Sequence, residues 1–207
     1  MLGKGVNTKM TQISAQMVKE LRTVTGSGIM DCKKVLAEAK GDMDKAIDLL
    51  RKKGLAKAAK RVGRSTSEGI VYSYIHTGSK LGVLLEINCE SDFVAKTDDF
   101  KRFAKDIAMH IAATNPEGII DEDIDPAIVE KEKEIYKAQI ISQGKPEHIV
   151  DKIVEGKVQK FYKDVCLMSQ QYIKDPQKTI ADILKETIGK IGENIHIKRF
   201  ARFKIGE

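Results

Sequence analysis

Between Leu81 and Ile111 the hydrophobic period changes once, from two to about 3.6 residues, and that change restricts the folds open to this chain. Leu81, Val83, Leu85, Ile87 and Cys89 occupy alternate positions, so they share one face of a strand while Glu86 and Asn88 turn to the other. Phe100, Phe103, Ala104, Ile107, Ala108 and Ile111 follow at helical spacing, with Thr97 and Asp98 offering oxygens to cap that helix. A strand with one apolar face that runs directly into an amphipathic helix calls for a helix layer on a sheet. The joint between them, Glu90-Ser91-Asp92-Phe93-Val94-Ala95-Lys96, leaves an acidic residue beside an aromatic ring in a loop. Aromatic residues make up only 5% of the chain and none is Trp, so a Phe there stands out. The pattern allows two readings of that ring: core residue at a strand end, or side chain displayed to a partner. Asp92 is equally open, as a solvated carboxylate, a helix cap or a contact.

Residues 13 to 53 read as three short helices. Ser14 is placed as an N-cap, with Ile13 and Val18 flanking it as a hydrophobic staple. Thr25-Gly26-Ser27-Gly28 breaks the first helix; the second carries Cys32, Val35, Leu36 and Ala39 on one face and stops near Gly41. Asp42 caps the third, in which Ala46, Ile47 and Leu50 face inward and Gly54 marks the end.

The remainder alternates strand and helix patterns. Ile70 to His76 is β-rich and turns through Thr77-Gly78-Ser79-Lys80 into the strand at Leu81. Asp125 and Pro126 open a helix, and another starts at Pro146 and buries Val150, Ile153, Val154, Phe161 and Val165. Ile180, Ile183, Leu184, Thr187, Ile188 and Ile191 define a last helix capped by Thr179. Finally Ile195, Ile197, Ala201, Phe203 and Ile205 alternate with His196, Lys198, Arg202 and Lys204, which reads as a strand with one wet face. The expected architecture is α+β: a three-helix N-terminal bundle, then a core with a small, mostly antiparallel three-stranded sheet. The expected divisions are an extension at 1–10, the bundle at 11–54, a linker at 55–67, helical or semi-rigid over the Ala- and Lys-rich stretch from Leu55 to Arg64, and the core at 68–207. The first ten residues lack a hydrophobic stretch long enough for a secretory signal and read as disordered, with Met10 an alternative start.

Net charge is +6, unevenly spread: residues 1–64 hold 15 Lys and Arg against 6 Asp and Glu, leaving 21 against 24 in the rest. A basic front end fits nucleic acid, an acidic protein partner or a solvated helical surface. Three widely spaced cysteines, an odd number, argue against a disulfide framework and for a reducing compartment, with cytoplasm the default. No run of apolar residues approaches the roughly 18 that a membrane helix needs. Gly144-Lys145, Gly156-Lys157 and Gly189-Lys190 lack the rest of a phosphate loop, and the four histidines are too scattered for a metal signature. No cofactor or metal reading finds support in these residues, and an enzyme reading rests only on a Cys and His brought together in space, a pairing that spacing in the sequence leaves open. Cys32, Cys89 and Cys166 lie on or beside apolar faces, where Cys packs as a small hydrophobe.

The stretch Leu21-Arg22-Thr23-Val24-Thr25-Gly26-Ser27-Gly28-Ile29-Met30-Asp31-Cys32-Lys33-Lys34-Val35-Leu36 resembles the N-terminal signature of the translation elongation factor Ts family. Glu86 to Lys96 resembles that family's second signature, and the likeness continues through Gly189-Lys190-Ile191-Gly192-Glu193-Asn194-Ile195. The resemblance implies a UBA-like N-terminal bundle and a guanine nucleotide exchange factor, not an enzyme, that expels GDP from elongation factor Tu and leaves when GTP enters. The missing phosphate loop then makes sense, because the nucleotide belongs to the partner. It also implies roles for particular residues. Ser91, Asp92, Phe93 and Val94 match an element that intrudes beside the partner's nucleotide site and dislodges Mg²⁺; Phe93 would wedge between partner helices and Asp92 would hold the loop through polar contacts. Leu21, Arg22, Ile29 and Met30 match positions by which the bundle grips the partner's GTPase domain. Ser91 stands where Thr is commoner, and Ile29 where many relatives have Leu or Met. The chain is of the short type, with one core half and no long coiled-coil insertion, which implies a homodimer. No cysteine in the last strand could link its copies. Neither nucleic acid nor a membrane is required.

Two rival readings can be told apart. An RNA-binding module would stack bases on aromatic side chains among its basic residues, yet residues 1–64 contain no Phe, Tyr or Trp. A bundle that merely recognises protein segments would bind a partner without changing nucleotide release.

Overall fold

The computed structural model describes residues 13–207, so the extension expected at 1–10 lies outside the described residues. Two compact units emerge: one built from the described residues up to Val62 together with Lys185–Gly192, the other from Gly63–Leu184 and Glu193–Glu207.

In the first unit, helices α1 (Ala15–Thr25), α2 (Ile29–Glu38) and α3 (Met43–Ala59) enclose Val18, Leu21, Cys32, Val35, Leu36, Ala39 and Ala46. Their ends follow the sequence signals. The Ser14 hydroxyl accepts from the Met17 N–H, Gly26 closes α1 with φ of 65°, and the Asp42 carboxylate accepts from the Lys45 N–H. The third helix runs through the expected stop at Gly54 to Ala59, so the first part of the stretch read as a helical or semi-rigid linker is helical. The close approach constrains Gly189: a Cβ added there would lie 2.7 Å from the Gly54 carbonyl oxygen, whereas one added at Gly54 would meet only the Gly189 Cα at 3.9 Å, an ordinary contact. The missing side chain of Gly189 lets backbone meet backbone, at a cost of about 1 kcal/mol of helix propensity at that position.

The second unit centres on a three-stranded antiparallel sheet, β1 (Glu68–Ile75), β2 (Leu81–Cys89) and β5 (Ile195–Lys204), with β2 in the middle. Val83, Leu85, Ile87 and Cys89 are buried on one face, against the buried stripe Phe100, Phe103, Ala104, Ile107, Ala108 and Ile111 of α5 (Asp98–Thr114). Between β2 and α5 lies a single helical turn, α4 (Asp92–Ala95), where the sequence suggested only a joint. Helices α6 (Pro126–Ser142) and α7 (Glu147–Val165) form a hairpin with its own core of Ile124, Val129, Ile140, Val150, Val154, Val158 and Cys166. A second small sheet, β3 (Gln171–Tyr172) and β4 (Asp175–Thr179), precedes α8 (Ile180–Ile191). Its strands are too short and polar to show a period, and the sequence did not signal them.

The last strand corrects the simple alternation read from sequence. Pairing steps from Ile87 opposite Ile197 to Glu86 opposite Arg199, which leaves Lys198 as an extra residue. A one-residue bulge exchanges the two faces of everything beyond it. Ile195 and Ile197 are therefore buried, but Phe203 and Ile205 are exposed, and Arg202 turns to the covered side, where its Nε donates to the Ala112 carbonyl at 3.2 Å. Val71, Ile75, Leu84, Phe203 and Ile205 make the uncovered face of the sheet apolar.

Candidate functional site

The eight residues singled out from sequence fall into two groups, one in each unit. In the first unit, Ile29 and Met30 open α2 directly after the Gly26–Gly28 turn and are exposed, as is Arg22. Leu21 is not: its side chain is fully buried in the bundle core. An α-helix turns by about 100° per residue, so burying Leu21 leaves its neighbour Arg22 facing outward.

In the second unit the loop after β2 is built residue by residue. Ser91 caps α4, its hydroxyl oxygen accepting from the Val94 N–H at 3.3 Å. The same hydroxyl donates to Glu193 Oε1 at 2.6 Å, and the Ser91 N–H donates to Glu193 Oε2 at 3.0 Å. The Cys89 thiol donates to the Ser91 carbonyl at 3.1 Å, and the Thr97 hydroxyl to the Val94 carbonyl at 2.8 Å. On this short helix Val94 points inward and is 6% exposed, while Phe93 points outward and is 76% exposed. Phe93 is therefore exposed in this structure and is not part of the core.

Asp92 lies beside Phe93 and is exposed, its carboxylate 2.7 Å from Lys96 Nζ. The hydrogen bond from Lys96 holds the Asp92 carboxyl below the usual carboxylate range, and Asp92 in turn raises the lysine. Both groups are charged at neutral pH, and an exposed pair of this kind exchanges partners at little cost. Cys89, behind the loop, is pushed up to about 11, first by burial and then by the charge of Glu193. It is a packed thiol and not a nucleophile.

Two participants escaped the sequence reading. Lys96 was visible as the end of a motif but had no assigned role. Glu193 reaches Ser91 across 102 residues of chain, a separation at which no local pattern carries a signal. Among the described residues, no group of three or more His, Cys, Asp or Glu could hold a metal ion. No described helix is long and apolar enough to cross a membrane. What the loop offers is a bare aromatic ring on a braced turn, flanked by a salt-bridged carboxylate.

Comparison with known proteins identifies the setting. The family profile described as Elongation factor TS matches residues 6–207. The chain belongs to the elongation factor Ts family. It is 63% identical over 198 residues to Elongation factor Ts of Desulfosudis oleivorans, covering 96% of this chain and all of that one. It is 62% identical to Elongation factor Ts of Thermoanaerobacter sp. strain X514 over 94% of this chain and 96% of that one. Elongation factor Ts of Carboxydothermus hydrogenoformans is 59% identical, over 94% and 90% respectively. Membership in the elongation factor Ts family carries the role of nucleotide exchange on elongation factor Tu during translation elongation.

Proposed function

We propose that this chain drives GDP from elongation factor Tu by inserting Phe93 beside the partner's nucleotide site, with Asp92 anchoring the intruding turn. The observation that carries this reading is the exposure of the Phe93 ring on a turn whose neighbouring residue, Val94, is packed in the core. Leaving a phenyl ring in water forgoes on the order of 1.5–3 kcal/mol of burial. A partner cleft that covers the ring recovers that energy. The partner's Mg²⁺ bridges phosphate and protein oxygens, so displacing its ligands weakens the nucleotide without competition for the base. Coupling is reciprocal: a factor that weakens GDP binding is itself weakened by GDP to the same degree, and it binds the empty partner best.

Arg22, Ile29 and Met30, all exposed, supply the grip of the first unit, and Leu21 contributes through the bundle core in which it is buried. Two copies act together, joined through the apolar face of the three-stranded sheet. The work is done in the cytoplasm, in keeping with three free, buried cysteines. The chain catalyses no covalent chemistry.

The test is release of fluorescent GDP from elongation factor Tu, followed by stopped flow with Mg²⁺ present and with Mg²⁺ chelated. The factor should accelerate release strongly in Mg²⁺ and much less over the already fast chelated control. Equal acceleration in both conditions would refute the Mg²⁺ part of the mechanism.

A further inference from the structure

We propose that Glu193 is a positioning residue for nucleotide exchange, acting through Ser91 to hold the turn that displays Phe93. This inference rests on the proposed action of Phe93 at the partner. Helix α4 has four residues, a single turn, and helices so short do not persist on their own propensity. Its orientation must come from outside. Glu193 provides it with both carboxylate oxygens, one taking the Ser91 N–H at 3.0 Å and the other the Ser91 hydroxyl at 2.6 Å. Hydrogen bonds to an ionised acceptor are the stronger kind, and two from one residue fix direction as well as distance.

The hydroxyl also explains why a carboxylate suits this position. Ser91 Oγ has one proton and spare lone pairs. Glu193 takes the proton, which leaves a lone pair directed at the Val94 N–H to cap α4. Anchor and cap thus depend on one rotor, and Glu193 sets it.

A reciprocal bond strengthens the brace. Glu90, next to Ser91, accepts from the Asn194 N–H at 2.6 Å, and the Asn194 amide donates to the Arg64 carbonyl at 2.8 Å. Each of the two segments, 90–91 and 193–194, lends a carboxylate to the backbone of the other. A glutamate serving only solubility would point to water, whereas this one spends both oxygens on one residue of the exchange turn.

The experiment measures GDP release from elongation factor Tu with Glu193→Ala and Glu193→Gln in the full chain, beside Ser91→Ala and Phe93→Ala. Maximal rate and half-saturating concentration are extracted separately, below each variant's melting temperature. A Gln can accept only one of the two bonds, and its amide must face the other donor. The expected result is a maximal rate about tenfold lower for Glu193→Ala and about threefold lower for Glu193→Gln, with half-saturation changed less than about threefold. Combining Glu193→Ala with Ser91→Ala should slow release little beyond the slower single variant, as expected for one shared interaction. A normal maximal rate for Glu193→Ala alongside a slow Phe93→Ala overturns the positioning role alone. Normal rates for both overturn the reading of Phe93 on which it depends. A loss of melting temperature with unchanged rates marks Glu193 as structural and also overturns the proposal.

Discussion

Phe93 and Val94 are adjacent in sequence and opposite in environment, the first about three-quarters in solvent and the second almost fully in the core. One turn of helix achieves this, capped by Ser91 at its start and held by the Thr97 hydroxyl on the Val94 carbonyl near its end. The pair separates two properties that mutation usually confuses. Phe93 can be changed without touching the fold, and Val94 cannot.

Val94→Ala should therefore lower stability by about 1–2 kcal/mol, the value of two buried methyl groups plus part of a cavity. Phe93→Ala should leave it within about 0.5 kcal/mol, as surface changes do. Urea unfolding of both variants checks the contrast, and an equal loss in both would mean that the ring packs against the chain.

Two glycines in helices should respond oppositely to alanine. Gly189→Ala places a Cβ 2.7 Å from the Gly54 carbonyl oxygen, and overpacking of that kind costs about 1–3 kcal/mol, more than the propensity gained. Gly156, within α7, has no atom within 4 Å of an added Cβ, so Gly156→Ala should stabilise by up to about 1 kcal/mol. Thermal melting of the two variants should move in opposite directions.

Acid should weaken the second unit through His110. This fully buried ring donates from Nε2 to Gln170 Oε1 at 2.9 Å and accepts the Ile173 N–H at Nδ1, so it is neutral. Burial holds its pKa below the ordinary 6.5. The unfolded chain then takes up a proton at a higher pH than the folded one. The His110 contribution is complete above about pH 6.5 and is lost as pH falls through the folded pKa. His110→Gln should lower the melting temperature at pH 7.5 but flatten its decline toward pH 5.5. A parallel decline in both proteins would assign the acid sensitivity elsewhere.

The uncovered sheet face gives a test of assembly. Leu84 and Phe203 are exposed there among Val71, Ile75 and Ile205. Leu84→Lys and Phe203→Glu should each convert a dimer to a monomer in sedimentation velocity, without loss of secondary structure, because a charge buried across such an interface has no partner. A wild-type monomer would refute the homodimer.

Much of this structure is legible in the sequence because its signals are local. The cap residues Ser14, Asp42, Thr97 and Asp125 each accept the backbone N–H their positions imply, and the α5 stripe is buried residue for residue. What local pattern cannot show is what lies across a gap in the chain. Gly54 reads as a helix stop until Gly189 is found against it, and Lys198 reads as part of an alternation until pairing with β2 exposes the bulge. The site follows the same rule. The Ser91-Asp92-Phe93-Val94 element could be found from its residues, but the orientation of Phe93 and the hold of Glu193 are properties of the folded chain alone.

On the proposed mechanism the exposed ring of Phe93 does the work of exchange. Its most direct test is the maximal rate of GDP release from elongation factor Tu under saturating wild-type or Phe93→Ala chain, measured by stopped flow. Truncating an aromatic that anchors an interface costs about 2 kcal/mol or more, so the rate should be at least about tenfold lower with the fold intact. A rate indistinguishable from wild type would contradict it.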